Sequence, residues 1–334
     1  MKLTTIALAA FVAPLSQAAS IPHSELITRQ TKSRELSQSS KHPSQYNTRF
    51  PRTNSNKTVD PTLYPLLQRY TRFAAASQGA FYYHDKACPR PPFQSSLIRV
   101  IESPNPHTAS IYLFTQDSSK ELILSFASLA SIHDPSIDSS FSLIPLTTSP
   151  GCTGCQVHTS ILNIWTGLQP TLSKTLSELQ PILPDYKTII VGHSLGGSLA
   201  SLAYTELKSN GVPVEKAYTM GALRVGNQAY ADFTDRLAGA SDVQLGDLIR
   251  ITHGADSLPN LPSKNADFQH TRTEIYEVDT TPNSDEQSAG TTFRCFGQEA
   301  QDCIKGNAVA KNGFDHSKYT GVLMVDEVEC NHRT

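Results

Sequence analysis

The sequence predicts an α/β fold with a central, mostly parallel sheet, and three observations predict it. The β-branched run Ile189–Val191 breaks at a glycine-flanked serine and is followed at once by helix-forming residues from Ser198 to Leu207. Beyond it, strand-like runs at Ala217–Met220, Leu248–Thr252 and Thr273–Val278 alternate with a helical stretch at Gln228–Leu237. Ahead of it lie two segments of helical periodicity, and 334 residues at 38% hydrophobic composition are enough for one large core.

Taken in order, Met1-Lys2, the apolar Ile6–Val12 and the small residues Ser16-Gln-Ala18-Ala19 read as a secretory signal peptide over residues 1–19. The apolar part is far shorter than the ~20 residues of a membrane span, and no other segment approaches that length. Residues 20–57 are polar, with seven Lys/Arg against Glu25 and Glu35. They read as a disordered arm or pro-segment, because so few apolar residues cannot offset the entropy of folding. Asn56-Lys-Thr58 is a sequon that makes Asn56 a glycosylation candidate. The catalytic domain is expected over 58–334, where 20 basic residues face 28 acidic ones, a balance that argues against nucleic acid as partner.

Within that domain Leu63, Leu66, Leu67, Tyr70, Phe73 and Ala74 recur at helical spacing towards Phe81. Ser110–Phe114 and Glu121–Ser125 read as strands of a hairpin, and residues 127–140 as a surface loop. Ile161–Leu179 reads as a helix that Pro170 is expected to kink or split.

The chemistry centres on Gly192-His-Ser194-Leu-Gly196, the G-x-S-x-G pattern. A strand-to-helix turn of this kind exposes the serine hydroxyl and needs near side-chain-free residues on either side, which makes Ser194 the candidate nucleophile. A serine needs a histidine to take its proton and an acid to orient that histidine, and in such turns both follow the serine along the chain. Asp256 is preferred by position, after a β-rich run and before a proline-bounded loop; Asp232, Asp235, Asp242 and Asp247 remain rivals. His316 is preferred on spacing, with His270 and His332 as rivals.

Six cysteines in an extracellular chain read as three disulfides, for which 15 pairings exist. Cys152 with Cys155 and Cys295 with Cys303 would form local loops, leaving Cys88 with Cys330 to tie the ends of the domain together. With neither a second C-x-x-C nor an H-x₃-H nearby, the first pair does not read as a zinc or redox motif.

Gly192-His-Ser-Leu-Gly-Gly197, Gly221-Ala-Leu-Arg-Val-Gly-Asn227, Ile251-Thr-His-Gly-Ala-Asp256, Leu258-Pro-Asn-Leu-Pro262 and Asp315-His316 together resemble the class 3 fungal lipases, including their feruloyl esterase branch. The resemblance runs from about residue 61 to 330 and implies a single-domain α/β-hydrolase fold. It implies Ser194 as nucleophile, Asp256 as orienting acid, His316 as general base and His270 as a non-catalytic histidine. The cysteine placement is similar to the three-disulfide pattern of the feruloyl esterase branch.

One departure stands out. Where the family carries Phe-Arg-Gly-Ser/Thr, this chain has Phe126-Ala-Ser-Leu129, so Leu129 offers a backbone N–H but no hydroxyl. The oxyanion hole is then expected to rest on the backbone amides of Leu195 and Leu129; losing one side-chain donor costs roughly 10²–10³ in rate where nothing compensates. The lid implied at residues 131–140 contains Pro135 and no tryptophan, so strong interfacial activation is not expected. His158 reads as a packed structural histidine rather than a wall of the acyl pocket.

The expectation is thus a secreted, monomeric serine carboxylic-ester hydrolase needing no metal or organic cofactor. Its substrate is an acylglycerol at a lipid–water interface or, as the alternative, a hydroxycinnamoyl or short-acyl ester. A second alternative is a catalytically impaired homologue that binds lipid or ester without turnover.

Overall fold

The computed structural model describes residues 57–83, 88–104, 108–128, 141–278, 288–306, 313–324 and 327–330. All of these belong to the unit Asn47–Thr334; the unit Met1–Tyr46 lies outside the described residues, as do Asn56, Leu129, the lid segment 131–140 and His332.

Nine strands form the main sheet: β1 (Lys57–Thr58), β2 (Ser96–Glu102), β3 (Ala109–Gln116), β4 (Glu121–Ser128), β7 (Lys187–His193), β8 (Lys216–Met220), β9 (Leu248–His253), β10 (Glu274–Glu277) and β11 (Thr292–Arg294). Their spatial order is β1-β11-β10-β9-β8-β7-β4-β3-β2. Neighbours from β4 through β7, β8 and β9 to β10 are parallel, and the flanking pairs are antiparallel. Two short antiparallel pairs stand apart, β5 (Leu143–Pro145) with β6 (Gln156–His158) and β12 (Lys318–Tyr319) with β13 (Val322–Leu323).

The helices are α1 (Leu63–Tyr82), α2 (Thr159–Leu179), α3 (Leu195–Ser209), α4 (Gln228–Ala238) and the single turn α5 (Gly313–His316). Alternation along the strands sorts the core into two layers. Ile111 and Leu113 of β3 pack with Trp165 and Leu168 of α2 and with Leu199 and Ala203 of α3. Tyr112 and Phe114, one residue out of step, pack with Leu67, Phe73 and Ala74 of α1. Such a sheet, covered on both faces, is the α/β-hydrolase architecture expected from the sequence.

The structure departs from the reading in four places. Strand β4 continues through Ala127 and Ser128, where a loop was expected, because Ala109 and Ser110 of β3 pair with Ser128 and Ala127. Helix α2 runs unbroken through Pro170. Pro170 and Thr166, whose carbonyl the ring leaves without a helical donor, are both exposed, which places this break in the ladder on the solvent side of the helix. Strand β2 was not foreseen, since most of its residues are exposed or half-exposed at the sheet edge and give no alternation of polarity. The sheet also begins at Lys57, one residue inside the stretch read as an arm.

The disulfides are Cys88–Cys330, Cys152–Cys155 and Cys295–Cys303. Among the described residues no helix is long and apolar enough to cross a membrane.

Candidate active site

β7 ends at His193 and α3 begins at Leu195, leaving Ser194 alone at the turn with φ 58° and ψ −130°. A non-glycine residue held there costs about 1–3 kcal/mol, which packing on both sides must impose. That packing is tight: a Cβ at Gly192 would stand 2.3 Å from the Gly196 carbonyl oxygen. The pattern's glycines are thus a steric requirement of strand meeting helix.

Ser194 Oγ lies 2.9 Å from His316 Nε2, and His316 Nδ1 lies 2.8 Å from Asp256 Oδ2. Three residues separated by up to 122 positions therefore form one hydrogen-bonded line. Asp256 is fully buried and sits on the turn after β9. Its Oδ1 accepts from Leu258 N at 2.9 Å, and its Oδ2 also accepts from the Tyr319 hydroxyl. Burial, then the neighbouring Asp256 carboxylate, hold the Tyr319 phenol well above its ordinary pKa, so it stays a donor.

His316 is fixed beside Asp256 by its own neighbour in sequence. Asp315 Oδ2 accepts from Ala255 N at 2.7 Å, and His253 Nδ1 donates to the Asp315 carbonyl at 3.1 Å. Beneath His316 lies His193, with ring centroids 4.6 Å apart, donating from Nε2 to the His316 carbonyl at 2.8 Å. Burial, then the proximity of His316, keep His193 well below its ordinary pKa, so it is a neutral support. Gly221, at φ 59°, passes so close that a Cβ there would stand 2.5 Å from Tyr319 Oη and 3.1 Å from both Asp256 Oδ2 and His316 Nδ1.

Leu195, the first residue of α3, carries one of the N–H groups that a helix start leaves without an internal partner. Leu129 lies outside the described residues, but the residue before it is held firmly. Gln78 on α1 donates from Nε2 to the Ser128 carbonyl at 2.8 Å and accepts from Ser128 N at 3.3 Å, acting as one further rung of the ladder.

The rival residues are engaged elsewhere. Asp235 accepts from Arg272 N and Gln298 Nε2; Asp247 pairs with Lys208 and Lys216. Asp242 pairs with Arg272, and Asp232 accepts from Gln228 and Gln298. His270 donates from Nε2 to the Pro259 carbonyl at 2.6 Å. Through Nδ1, His158 caps α2, accepting from Ser160 N at 3.1 Å; burial lowers its pKa to about 4.

Residues 123–266 match the lipase (class 3) family model. Over 186 residues it is 30% identical to the secreted mono- and diacylglycerol lipase 1 of Fusarium solani, covering 56% of this chain and 52% of that one. Over 165 residues it is 32% identical to the secreted alkaline triacylglycerol lipase of Penicillium cyclopium, covering 48% and 52%. The chain therefore spans about half the length of the curated relatives it matches. In fold it is similar to the Lip2 lipase of Yarrowia lipolytica, with a TM-score of 0.69 at 24% identity over 80% of this chain and 98% of that one.

Sequence reasoning missed the residues that support this site. Tyr319 follows the candidate base by three positions, and Arg224 sits inside Gly221–Asn227, but neither carries a chemical signal of its own. Arg224 is buried and bidentate to Glu299 at 2.8 Å through Nε and Nη2, while Nη1 donates to the carbonyls of Asn260 and Pro262 behind Asp256. Burial alone would raise the Glu299 pKa, but the Arg224 hydrogen bonds and charge bring it down to about 2. Glu299 thus contributes stability that is full above its unfolded pKa near 4.5 and is lost as pH falls towards 2. Arg224→Met is expected to cost about 3–5 kcal/mol at neutral pH by stranding a buried carboxylate, and to shrink the loss below pH 4.5. Urea unfolding across that pH range checks both. Tyr319→Phe removes a hydrogen bond to Asp256 and is expected to lower kcat by about 10–100-fold with KM little changed.

Proposed function

We propose that the protein is a secreted serine carboxylic-ester hydrolase, an acylglycerol lipase acting through an acyl-enzyme. The observation that carries this is the Ser194–His316–Asp256 line, with its serine held at positive φ between strand and helix. Ser194 Oγ attacks the ester carbonyl carbon as its proton passes to His316 Nε2. Asp256 holds the ring in the tautomer that leaves Nε2 free to accept, and stabilises the imidazolium that forms. The backbone amides of Leu195 and Leu129 receive the oxyanion. The intermediate collapses, and the leaving alcohol takes the proton from His316. Water, deprotonated by the same nitrogen, then attacks the acyl-enzyme, releasing the carboxylic acid and restoring Ser194.

The acylglycerol assignment draws on the named activities of the Fusarium solani and Penicillium cyclopium relatives. Export draws on the signal-like residues 1–19 and on the word "secreted" in those names. The reading includes a monomer working at a lipid–water interface.

The test is hydrolysis of tributyrin, a long-chain triglyceride emulsion and methyl ferulate, each beside a Ser194→Ala control. Glyceride turnover lost in the control supports the lipase reading; ferulate turnover alone moves the protein to the aromatic-ester class. No Ser194-dependent turnover on any ester sinks the hydrolase reading in favour of an ester-binding homologue, and Leu129→Ser is then the variant to restore a donor.

A further inference from the structure

On the far side of β8 from the serine hydrogen bond, buried polar groups converge on a place the proposed reaction does not use. Thr219 of β8, Arg250 of β9, and His270 and Thr271 on the approach to β10 line one internal cavity of about 10 Å³. Three of these residues carry a buried atom with no hydrogen-bond partner: Thr219 Oγ1, Arg250 Nη1 and Thr271 Oγ1. Their residues are 0%, 3% and 4% exposed. Arg250 is otherwise engaged, donating from Nε to the Thr271 carbonyl at 3.0 Å and placing Nη2 3.4 Å from Glu274 Oε2. One guanidinium nitrogen and two hydroxyls are thus left unpaired on residues that border a common space.

Buried polar groups in folded proteins are nearly always paired, and a cavity needs about 10–15 Å³ and two to four polar partners to hold one water. We infer that this cavity binds a single water molecule, which accepts from Arg250 Nη1 and bonds with the hydroxyls of Thr219 and Thr271. Size and charge both favour water over a halide ion. The space matches one water-sized sphere, and the nearby cations already have carboxylate partners, Arg224 with Glu299 and Arg250 with Glu274. His270 brings no further charge, since burial and then the adjacent Arg250 and Arg224 keep its pKa well below the ordinary value. The water would join β8 and β9 to the segment whose His270 holds the Pro259 carbonyl, three residues beyond Asp256.

Crystals of the wild type that show ordered solvent should carry one fully occupied peak within hydrogen-bonding distance of all three atoms. Thr271→Ser keeps the hydroxyl and should keep the peak. Thr219→Val with Thr271→Val should lose or displace it and lower Tm by about 2–4 °C for each bond removed. An empty wild-type cavity overturns the assignment, as does an unmoved peak in the double valine variant. An anomalous peak at the site after a bromide soak makes the ligand an anion and overturns it too. Should the double variant fail to fold, the wild-type, Thr271→Ser and bromide crystals still decide. None of these readouts depends on ester hydrolysis.

Discussion

His316→Ala is expected to lower kcat by on the order of 10⁶-fold, Ser194→Ala by a similar factor, and the double variant no further than either alone. The non-additivity follows from the geometry. In the proposed mechanism Ser194 Oγ, 2.9 Å from His316 Nε2, is a nucleophile only while that nitrogen can take its proton, so removing either removes the same step. What survives is the contribution of binding and backbone oxyanion donors, roughly 10³–10⁴ over water. Initial rates on a soluble butyrate ester, beside thermal unfolding of each variant, check it. Losses that multiply in the double variant, with all variants folded, would mean that serine and histidine do not act as a unit.

Asp256→Asn is expected to lower kcat by about 10⁴-fold while leaving the line of side chains in place. The reason lies in which donor cannot turn. Asp256 Oδ1 is held by the Leu258 N–H, a fixed backbone donor, so an asparagine there keeps its oxygen on that side and turns its NH₂ towards His316. Receiving a hydrogen bond at Nδ1, the imidazole carries its proton on Nε2 and can no longer accept one from Ser194. Kinetics of the variant, with its crystal structure, test this. Less than about a tenfold loss with geometry intact would remove Asp256 from its role.

Much of this was legible because it is local. Ser194 is readable from five residues, since the steric demand at Gly192 is met within the turn itself. The long strands and the flanks of α1 and α3 were readable from apolar runs and periodicity, and the short-range disulfides from spacing. Asp256 and His316 were readable only as preferences among rivals until the family motifs were weighed. Nothing in one dimension says that Asp235 is occupied by Arg272, or that His270 donates to Pro259.

The sequence by itself therefore determined the α/β layering, the serine turn and the short list from which acid and base are drawn, because those depend on hydrophobic period and backbone sterics within a few residues. Only the tertiary structure decided how His316 meets both Ser194 and Asp256, how Tyr319, His193 and Asp315 hold that meeting in place, and how Arg224 and Glu299 brace the loop behind it. These are hydrogen bonds and ion pairs between residues tens to hundreds of positions apart. They exist because nine strands set those residues side by side, and polar groups buried there must find partners within the protein.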